Sequence, residues 1–225
     1  MQASVKIKLT ESLFLRDPEE TALGRNLIRK SIELMDLIGY EDFTFKKLAV
    51  SMGSTEASIY RYFENKHKLL IYLVSWYWAY LSYEIDFEIH NIRNPKSRLK
   101  KIISIISDVH KTNVASGEIS VQTLQKIVIS ESAKSYLIKD VEGINKHGAF
   151  REYKSLCKKI ANLISEINPR YKYPSSVASC LLEASHQQVY FALHLPSLTD
   201  LKKDKKNHVE LAQFLEHFLF NLIEK

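Results

Sequence analysis

Glycine, proline and cysteine are scarce in this chain of 225 residues. It contains 6 glycines and 5 prolines, below the average usage of roughly 7% and 5%. Collagen-like and low-complexity chains are therefore excluded, and long stretches are free to form helices. The only cysteines, Cys157 and Cys180, form no Cys-x-x-Cys motif, which excludes a disulfide scaffold and fits a reducing compartment. Hydrophobic residues make up 45% of the sequence, too many for a disordered chain.

The sequence also lacks a membrane span and the common catalytic motifs. Its longest nearly apolar run, residues 69–81, is shorter than the roughly 20 residues that cross a bilayer. The N-terminus alternates polar with apolar residues and does not resemble a signal peptide. Neither HExxH, a P-loop, GxSxG nor GxGxxG occurs. We therefore expect a cytoplasmic protein that is not an enzyme, with no catalytic residues, metal site, cofactor or membrane contact.

Charge gives a weak indication of an anionic partner. The formal net charge is +6 and the isoelectric point is near 9.1, but such values alone prove little. Residues 44–70 carry five lysines and arginines against two glutamates. The case for nucleic acid therefore depends on how these side chains are arranged locally.

Capping residues and apolar periodicity predict an all-α fold. Asp17-Pro18 followed by Glu20 predicts the start of a helix over 18–38, and Gly39 predicts its left-handed end. From Lys66 to about residue 90 the apolar residues form two stripes, so this helix is expected to be central. Further helices are predicted from Pro95, at about 118–140, at 149–167, from Pro174 to His194 and at 208–223. Strand-like alternation is confined to residues 5–9.

Between the first helix and Lys66 the spacing predicts a helix-turn-helix. Thr44 caps a short helix that Gly53 ends, and Thr55 caps a second short helix through Tyr62. The second helix of such a motif offers its side chains to the major groove. With Ile59 pointing inward, we expect Tyr60, Arg61 and Tyr62 outside, next to hydroxyl and ammonium groups at helix starts that suit phosphates. The predicted DNA-binding residues are Thr44, Lys46, Lys47, Thr55, Glu56, Ala57, Ser58, Tyr60, Arg61, Tyr62 and Lys66.

The stretch LAVSMGSTEASIYRYFENKHKLL resembles the DNA-binding signature of TetR-type (TetR/AcrR) bacterial transcriptional regulators. The preceding GY and FTFKKLA and the helix from Asp17 match too, so the resemblance covers roughly residues 18–72. It implies an N-terminal extension (1–17), a three-helix helix-turn-helix DNA-binding domain (18–70) and a C-terminal helical-bundle domain for ligand binding and dimerisation (71–225). It also implies a ligand-responsive repressor that binds a palindromic operator as a dimer.

Carried over by position, the resemblance divides the predicted residues by role. Thr44, Tyr60, Tyr62 and Lys66 would hold phosphates, Glu56, Ala57 and Ser58 would face bases, and Arg61 would lie near the backbone or groove edge. Ser54 departs from the family, which has a small apolar residue there. Glu56 departs as well: it either accepts from a cytosine amino group or is a solvated charge favoured by the helix dipole.

Two apolar patches on the last helix predict a homodimer, since a large exposed apolar patch usually marks an interface. The alternative is that both patches are buried within one chain. The predicted interface residues are Val177, Leu181, Ala184, Leu211, Phe214, Leu215 and Phe218.

A small-molecule effector is implied by the resemblance, and the aromatic helix at 69–87 favours an apolar or aromatic one. Candidate pocket residues, each also compatible with ordinary core or surface, are Trp78, Tyr83, His110, Tyr153 and Gln187.

Three further interpretations concern other functions and the N-terminus. A metal-binding bundle would use two Glu-x-x-His pairs, Glu64…His67 and Glu183…His186, but the first lies in a turn. A helical module that binds a small molecule or protein without DNA is the alternative function. Residues 1–16 either dock onto the body or send Lys6, Lys8 and Arg16 into the minor groove, and docking is favoured.

Overall fold

A computed structural model of the chain describes residues 7–108, 119–202 and 207–224. These residues form helices and connecting turns, as predicted for an all-α fold. They divide into two compact units: residues 7–80 with 119–151, and residues 81–108 with 152–202 and 207–224. No helix in the described ranges combines the length and the hydropathy of a transmembrane span.

Eleven α-helices are found in the described ranges, together with short 3-10 turns such as Pro18–Glu20. Helix α4 contributes residues 66–80 to the first unit and residues 81–89 to the second. The helices are α1 (Ala22–Asp42), α2 (Phe45–Met52), α3 (Glu56–Tyr60), α4 (Lys66–Ile89), α5 (Pro95–Ser107), α6 (Val121–Glu131), α7 (Ala133–Tyr136), α8 (Val141–Lys146), α9 (Arg151–Ile167), α10 (Pro174–His194) and α11 (Asn207–Ile223).

The first helix begins later than predicted. The Asp17 carboxylate accepts a hydrogen bond from the backbone N–H of Glu19 at 2.8 Å and caps only the 3-10 turn. Thr21 caps α1 instead, its hydroxyl oxygen accepting from the N–H of Gly24 at 2.9 Å. Gly39 has a φ of 74°, so the regular part of α1 ends where the sequence predicts.

The core of the first unit is built on α4. Every residue from 69 to 78 is buried, as expected of a helix that is apolar on two faces. The rings of Trp76 and Tyr80 stack with centroids 5.6 Å apart, and Tyr77 packs edge-on against Trp78 at 5.2 Å.

The segment predicted as one helix at about 118–140 is broken into α6 and α7. Ser132 lies at the break, and the hydroxyl of Ser135 donates to the Ser132 carbonyl at 2.6 Å. Serine side chains that bond to nearby backbone groups compete with continuous helix. Helix α8 was not predicted, because its six residues are too few for a periodic pattern to show.

In the second unit, α11 packs against both α5 and α10. Its apolar residues therefore divide differently from the prediction. Four predicted interface residues, Val177, Leu181, Leu211 and Leu215, are buried within the unit. The periodicity of one helix does not reveal which apolar face its own chain covers. Contact of these four residues with a partner chain stays a prediction.

The side of α11 that remains open carries Phe214, Phe218 and Leu222. Phe214 is 40% exposed and Phe218 is half-buried, with the two rings stacked at 6.4 Å. Leu222 is exposed, and Ala184 on α10 is half-buried. We call Phe214, Phe218 and Leu222 the α11 stripe.

Candidate nucleic-acid interface

Helices α2 and α3 meet at the turn that the sequence predicts. Thr44 caps α2, its hydroxyl oxygen accepting from the N–H of Lys47 at 3.2 Å. Gly53 ends α2 with a φ of 61°, and the N–H of Ser54 donates to the carbonyl of Ala49 at 2.9 Å. This left-handed cap turns the chain within three residues into α3.

The inner faces of the two short helices bury the predicted apolar residues. Phe45 and Leu48 of α2, Ile59 of α3 and Phe63 just after it are buried. The N–H of Phe63 donates to the carbonyl of Ile59 at 3.2 Å. The outer face of α3 is thus presented by a fixed core.

Eight of the predicted DNA-binding residues are exposed on α2, on α3 and at the residues that flank them. Helix α3 ends at Tyr60 rather than Tyr62, but Arg61 after it is still exposed. We define the recognition surface as the exposed residues Thr44, Lys46, Lys47, Thr55, Glu56, Ala57, Tyr60 and Arg61.

Tyr60 projects from this surface on a supported ring. Its side chain is 48% exposed, and its ring packs edge-on against Phe45 with centroids 5.1 Å apart. Lys47 is partly committed, because its ammonium group donates to the carbonyl of Asp42 at 2.8 Å. A half-exposed aromatic ring with a terminal hydroxyl suits a phosphate contact.

Three hydroxyl groups form a cluster at the start of α3. The Ser58 hydroxyl lies 2.9 Å from both the Ser54 and the Thr55 hydroxyl oxygens. Thr55 makes no side-chain cap, contrary to prediction. The unusual Ser54 thus has a local partner, and Ser58, which is half-buried, shares its hydroxyl with two neighbours.

The predicted exposure of Tyr62 is wrong. Its side chain is only 2% exposed, and its hydroxyl pairs with the hydroxyl of Thr21 at 2.6 Å. The last turn brings the Tyr62 ring onto the start of α1, where the capping threonine holds it. Tyr62 therefore supports the recognition surface from behind.

The ammonium group of Lys66 is hydrogen-bonded within the protein. It donates to the carbonyls of Tyr40, at 3.1 Å, and Glu41, at 3.0 Å. It also lies 4.6 Å from the centroid of the Tyr40 ring. Lys66 thus joins the end of α1 to the start of α4, the two segments that flank the helix-turn-helix.

Lys134 on α7 is a further member of this junction that the sequence did not reveal. Its ammonium group lies 2.7 Å from carboxylate oxygens of both Glu41 and Glu131. Burial alone would lower the pKa of Lys134, but the bonds to Glu131 and Glu41 raise it. A ring nitrogen of His67 lies 3.0 Å from the Lys134 carbonyl oxygen. Glu41 and His67 are 93 and 67 residues away from Lys134 in sequence, so no local pattern could find this junction.

The predicted pocket residues have different surroundings. Trp78 is buried in the first unit, and in the second unit Tyr83 and Gln187 are exposed. The Tyr153 hydroxyl donates to the Glu183 carboxylate at 2.7 Å. His110 lies outside the described residues. These assignments therefore remain predictions.

Neither Glu-x-x-His pair is part of a metal cluster in the described ranges, which contain no group of three suitable ligands. His67 contacts the Lys134 carbonyl, and Glu183 accepts from Tyr153.

A capped helix, a left-handed glycine turn and a short helix with an exposed polar face define the class of helix-turn-helix proteins. Residues 27–73 match the family model of bacterial regulatory proteins, tetR family. Over these residues the chain is similar to the N-terminal domain of that family, which confirms the resemblance read from the sequence. No curated protein matches the sequence.

Solved structures resemble the whole fold. AibR, in complex with isovaleryl coenzyme A and operator DNA, is 16% identical, with a TM-score of 0.59 over 87% of this chain and 98% of that one. FadR, a fatty acid degradation regulator from Bacillus halodurans, is 16% identical, with a TM-score of 0.61 over 86% and 96%. Superantigen PfiT is 18% identical, with a TM-score of 0.58 over 93% and 100%. The TM-scores show a shared fold, and at identities this low the similarity concerns the fold alone.

Proposed function

We propose that this protein is a TetR-type transcriptional regulator in the cytoplasm, not an enzyme, which binds a near-palindromic operator as a homodimer. Two α3 helices would enter successive major grooves about 34–36 Å apart. By occupying promoter DNA the dimer would act as a repressor, and a small-molecule effector would release it.

The observation that carries this proposal is the recognition surface. Lys46 and Arg61 are exposed: Lys46 lies on α2 and Arg61 directly follows α3, the two helices that a helix-turn-helix brings to DNA. The Tyr60 ring packs against Phe45, so the position of its hydroxyl is already fixed in the protein without DNA. A surface that only bound protein would have little need of this cationic and hydroxyl-bearing set.

The effector part of the proposal is supported by composition and by fold. The aromatic side chains of α4, among them Trp76, Tyr77 and Trp78, favour an apolar or aromatic small molecule. AibR shows that a similar fold holds both operator DNA and an acyl coenzyme A. An effector changes operator affinity only if it binds two states of the protein with different affinities.

The decisive experiment is selection of binding sites from random DNA duplexes with the purified full-length protein. We expect enrichment of an inverted repeat, followed by binding to the promoter of the protein's own gene. If the protein fails to bind any duplex at low ionic strength, the proposal is wrong. The DNA-independent helical module would then be favoured.

Arg61 and Glu56 should affect DNA binding in different ways. Arg61→Ala removes a cation, so it should weaken the binding of all duplexes similarly and reduce the slope of log K against log salt by about 1 per subunit.

Glu56→Gln should instead alter the preferred sequence at one position of each half-site, because glutamine pairs with adenine and glutamate accepts from cytosine. Fluorescence anisotropy over a salt series, with repeated site selection, measures both effects. If Glu56→Gln leaves the preferred DNA sequence unchanged, Glu56 does not read a base and is a solvated charge favoured by the helix dipole.

The α11 stripe is the proposed dimer surface. Phe214→Glu should give a monomer and weaken operator binding at least tenfold, because a buried unpaired carboxylate is costly at an interface. Phe87→Glu is the matched control, since Phe87 is 70% exposed on α4 and should leave the dimer intact. Light scattering after gel filtration measures both masses. A Phe214→Glu dimer would show that another surface joins the subunits.

A further inference from the structure

The segment before α1 docks onto the first unit and reaches the residues just after α3. Leu13 is buried, and the Phe14 ring packs edge-on against Tyr72 at 6.1 Å. The Ser12 hydroxyl donates to the carbonyl of His147 at 2.6 Å. The docking that the sequence favours is thus seen for residues 12–14, whereas Lys6 lies outside the described residues.

Two contacts continue this segment to the end of α3. The N–H of Leu15 donates to the carbonyl of Tyr62 at 2.8 Å, satisfying a backbone acceptor just beyond the short helix. The guanidinium of Arg16 lies 5.8 Å from the centroid of the Tyr62 ring. Because Thr21 holds the Tyr62 hydroxyl, the ring is a fixed platform. Arg16 thus lies against Tyr62, the residue that follows Arg61 in the chain.

We propose that Arg16 is a phosphate-binding residue that extends the recognition surface beyond the helix-turn-helix. The inference rests on the proposed function, because its ligand is the backbone of duplex DNA. The sequence presents docking and DNA contact of this segment as alternatives, but the two are then compatible. The docked segment holds one cation, Arg16, where it can contact the same DNA as the recognition surface.

The chemistry of the arginine fits this role. Arg16 is exposed, and its guanidinium stays charged and offers a planar fork of donors to phosphate oxygens. The cation–π contact attracts the guanidinium to the Tyr62 ring, while the Arg16 side chain stays exposed to solvent. The carboxylate of the neighbouring Asp17 accepts from the N–H of Glu19 and caps the 3-10 turn.

The test measures operator affinity over a salt series for the full-length protein and three variants. Arg16→Ala should weaken binding about fivefold and reduce the slope of log K against log salt by about 1 per subunit, hence about 2 per dimer. Arg16→Lys keeps a charge and should preserve most of the slope. Lys8→Ala removes an exposed cation from the same segment, away from Tyr62, and should change neither quantity.

The outcomes separate this inference from the proposed function. If the wild-type protein binds its operator and Arg16→Ala leaves the slope unchanged, Arg16 does not bind phosphate, even if the affinity or the thermal unfolding temperature falls. An equal loss of slope in Lys8→Ala would also overturn the inference, because general attraction would explain it. If the wild-type protein binds no duplex, the proposed function fails first and the inference with it.

Discussion

Gly24→Ala should lower the free energy of unfolding of the first unit by about 3 kcal/mol. Gly24 is buried in the first turn of α1, directly under the 3-10 turn Pro18–Glu20. An added Cβ would overlap the backbone of Pro18, coming within 2.8 Å of its carbonyl carbon. Backbone cannot rotate aside as a side chain can, so the 3-10 turn must move.

The consequence should extend to DNA binding. The turn that Gly24 supports leads into Thr21, which both caps α1 and holds the Tyr62 hydroxyl. Displacing this turn should weaken the contact between Thr21 and Tyr62 that supports the recognition surface. Operator affinity should therefore fall together with stability.

Gly143→Ala is the matched control for this prediction. There the three atoms nearest to the added Cβ all belong to the side chain of Asp140, which is exposed and can rotate. Alanine is also preferred over glycine within a helix by about 1 kcal/mol, so stability should stay within about 1 kcal/mol of wild type. Urea unfolding followed by tryptophan fluorescence suits both variants, because Trp76 and Trp78 lie in the first unit. Equal stability of Gly24→Ala and wild type would show that the Pro18 turn yields without cost.

Signals that act over a few residues were sufficient to predict the helix-turn-helix. Thr44 and Gly53 act on backbone groups within three or four residues of themselves, and each is found at the predicted helix end. Helix α10 likewise runs from Pro174 to His194 as predicted. The family motif added the direction in which the short helices present their polar face.

Side-chain roles that depend on distant partners could not be predicted in this way. Tyr62 is buried because Thr21 holds its hydroxyl, and the two are 41 residues apart. Lys66 is committed to Tyr40 and Glu41 for a similar reason. A polar residue in a DNA-binding motif can thus support the surface from within, and only its partners distinguish this role from direct contact.

The same reasoning applies to the predicted dimer interface. Leu211 and Phe214 both belong to one apolar helix, yet the first is fully buried and the second is exposed. What separates them is the packing of α11 against α5 and α10. Amphipathicity gives the number of apolar faces on a helix, while tertiary packing decides which of them remains for a partner.

His186 should make the stability of the second unit depend on pH. It lies on α10, and burial lowers its pKa to about 4, against about 6.5 in an unfolded chain. Above pH 6.5 the imidazole is neutral in both states and has no effect on stability. As the pH falls from 6.5 towards 4, the unfolded chain binds a proton that the folded chain cannot accept. The free energy of unfolding should therefore fall by about 2 kcal/mol between pH 7.5 and pH 5.

His186→Leu should remove this fall, because leucine has a similar volume and no proton to bind. His194→Leu is the control: it changes an exposed histidine at the end of the same helix and should leave the pH dependence as in wild type. Urea unfolding followed by far-ultraviolet circular dichroism at several pH values measures both. Carboxylates and other histidines also titrate in this range, so the informative quantity is the difference between each variant and wild type. A difference that stays constant from pH 7.5 to pH 5 would mean that His186 is protonated as readily in the folded protein as in the unfolded chain.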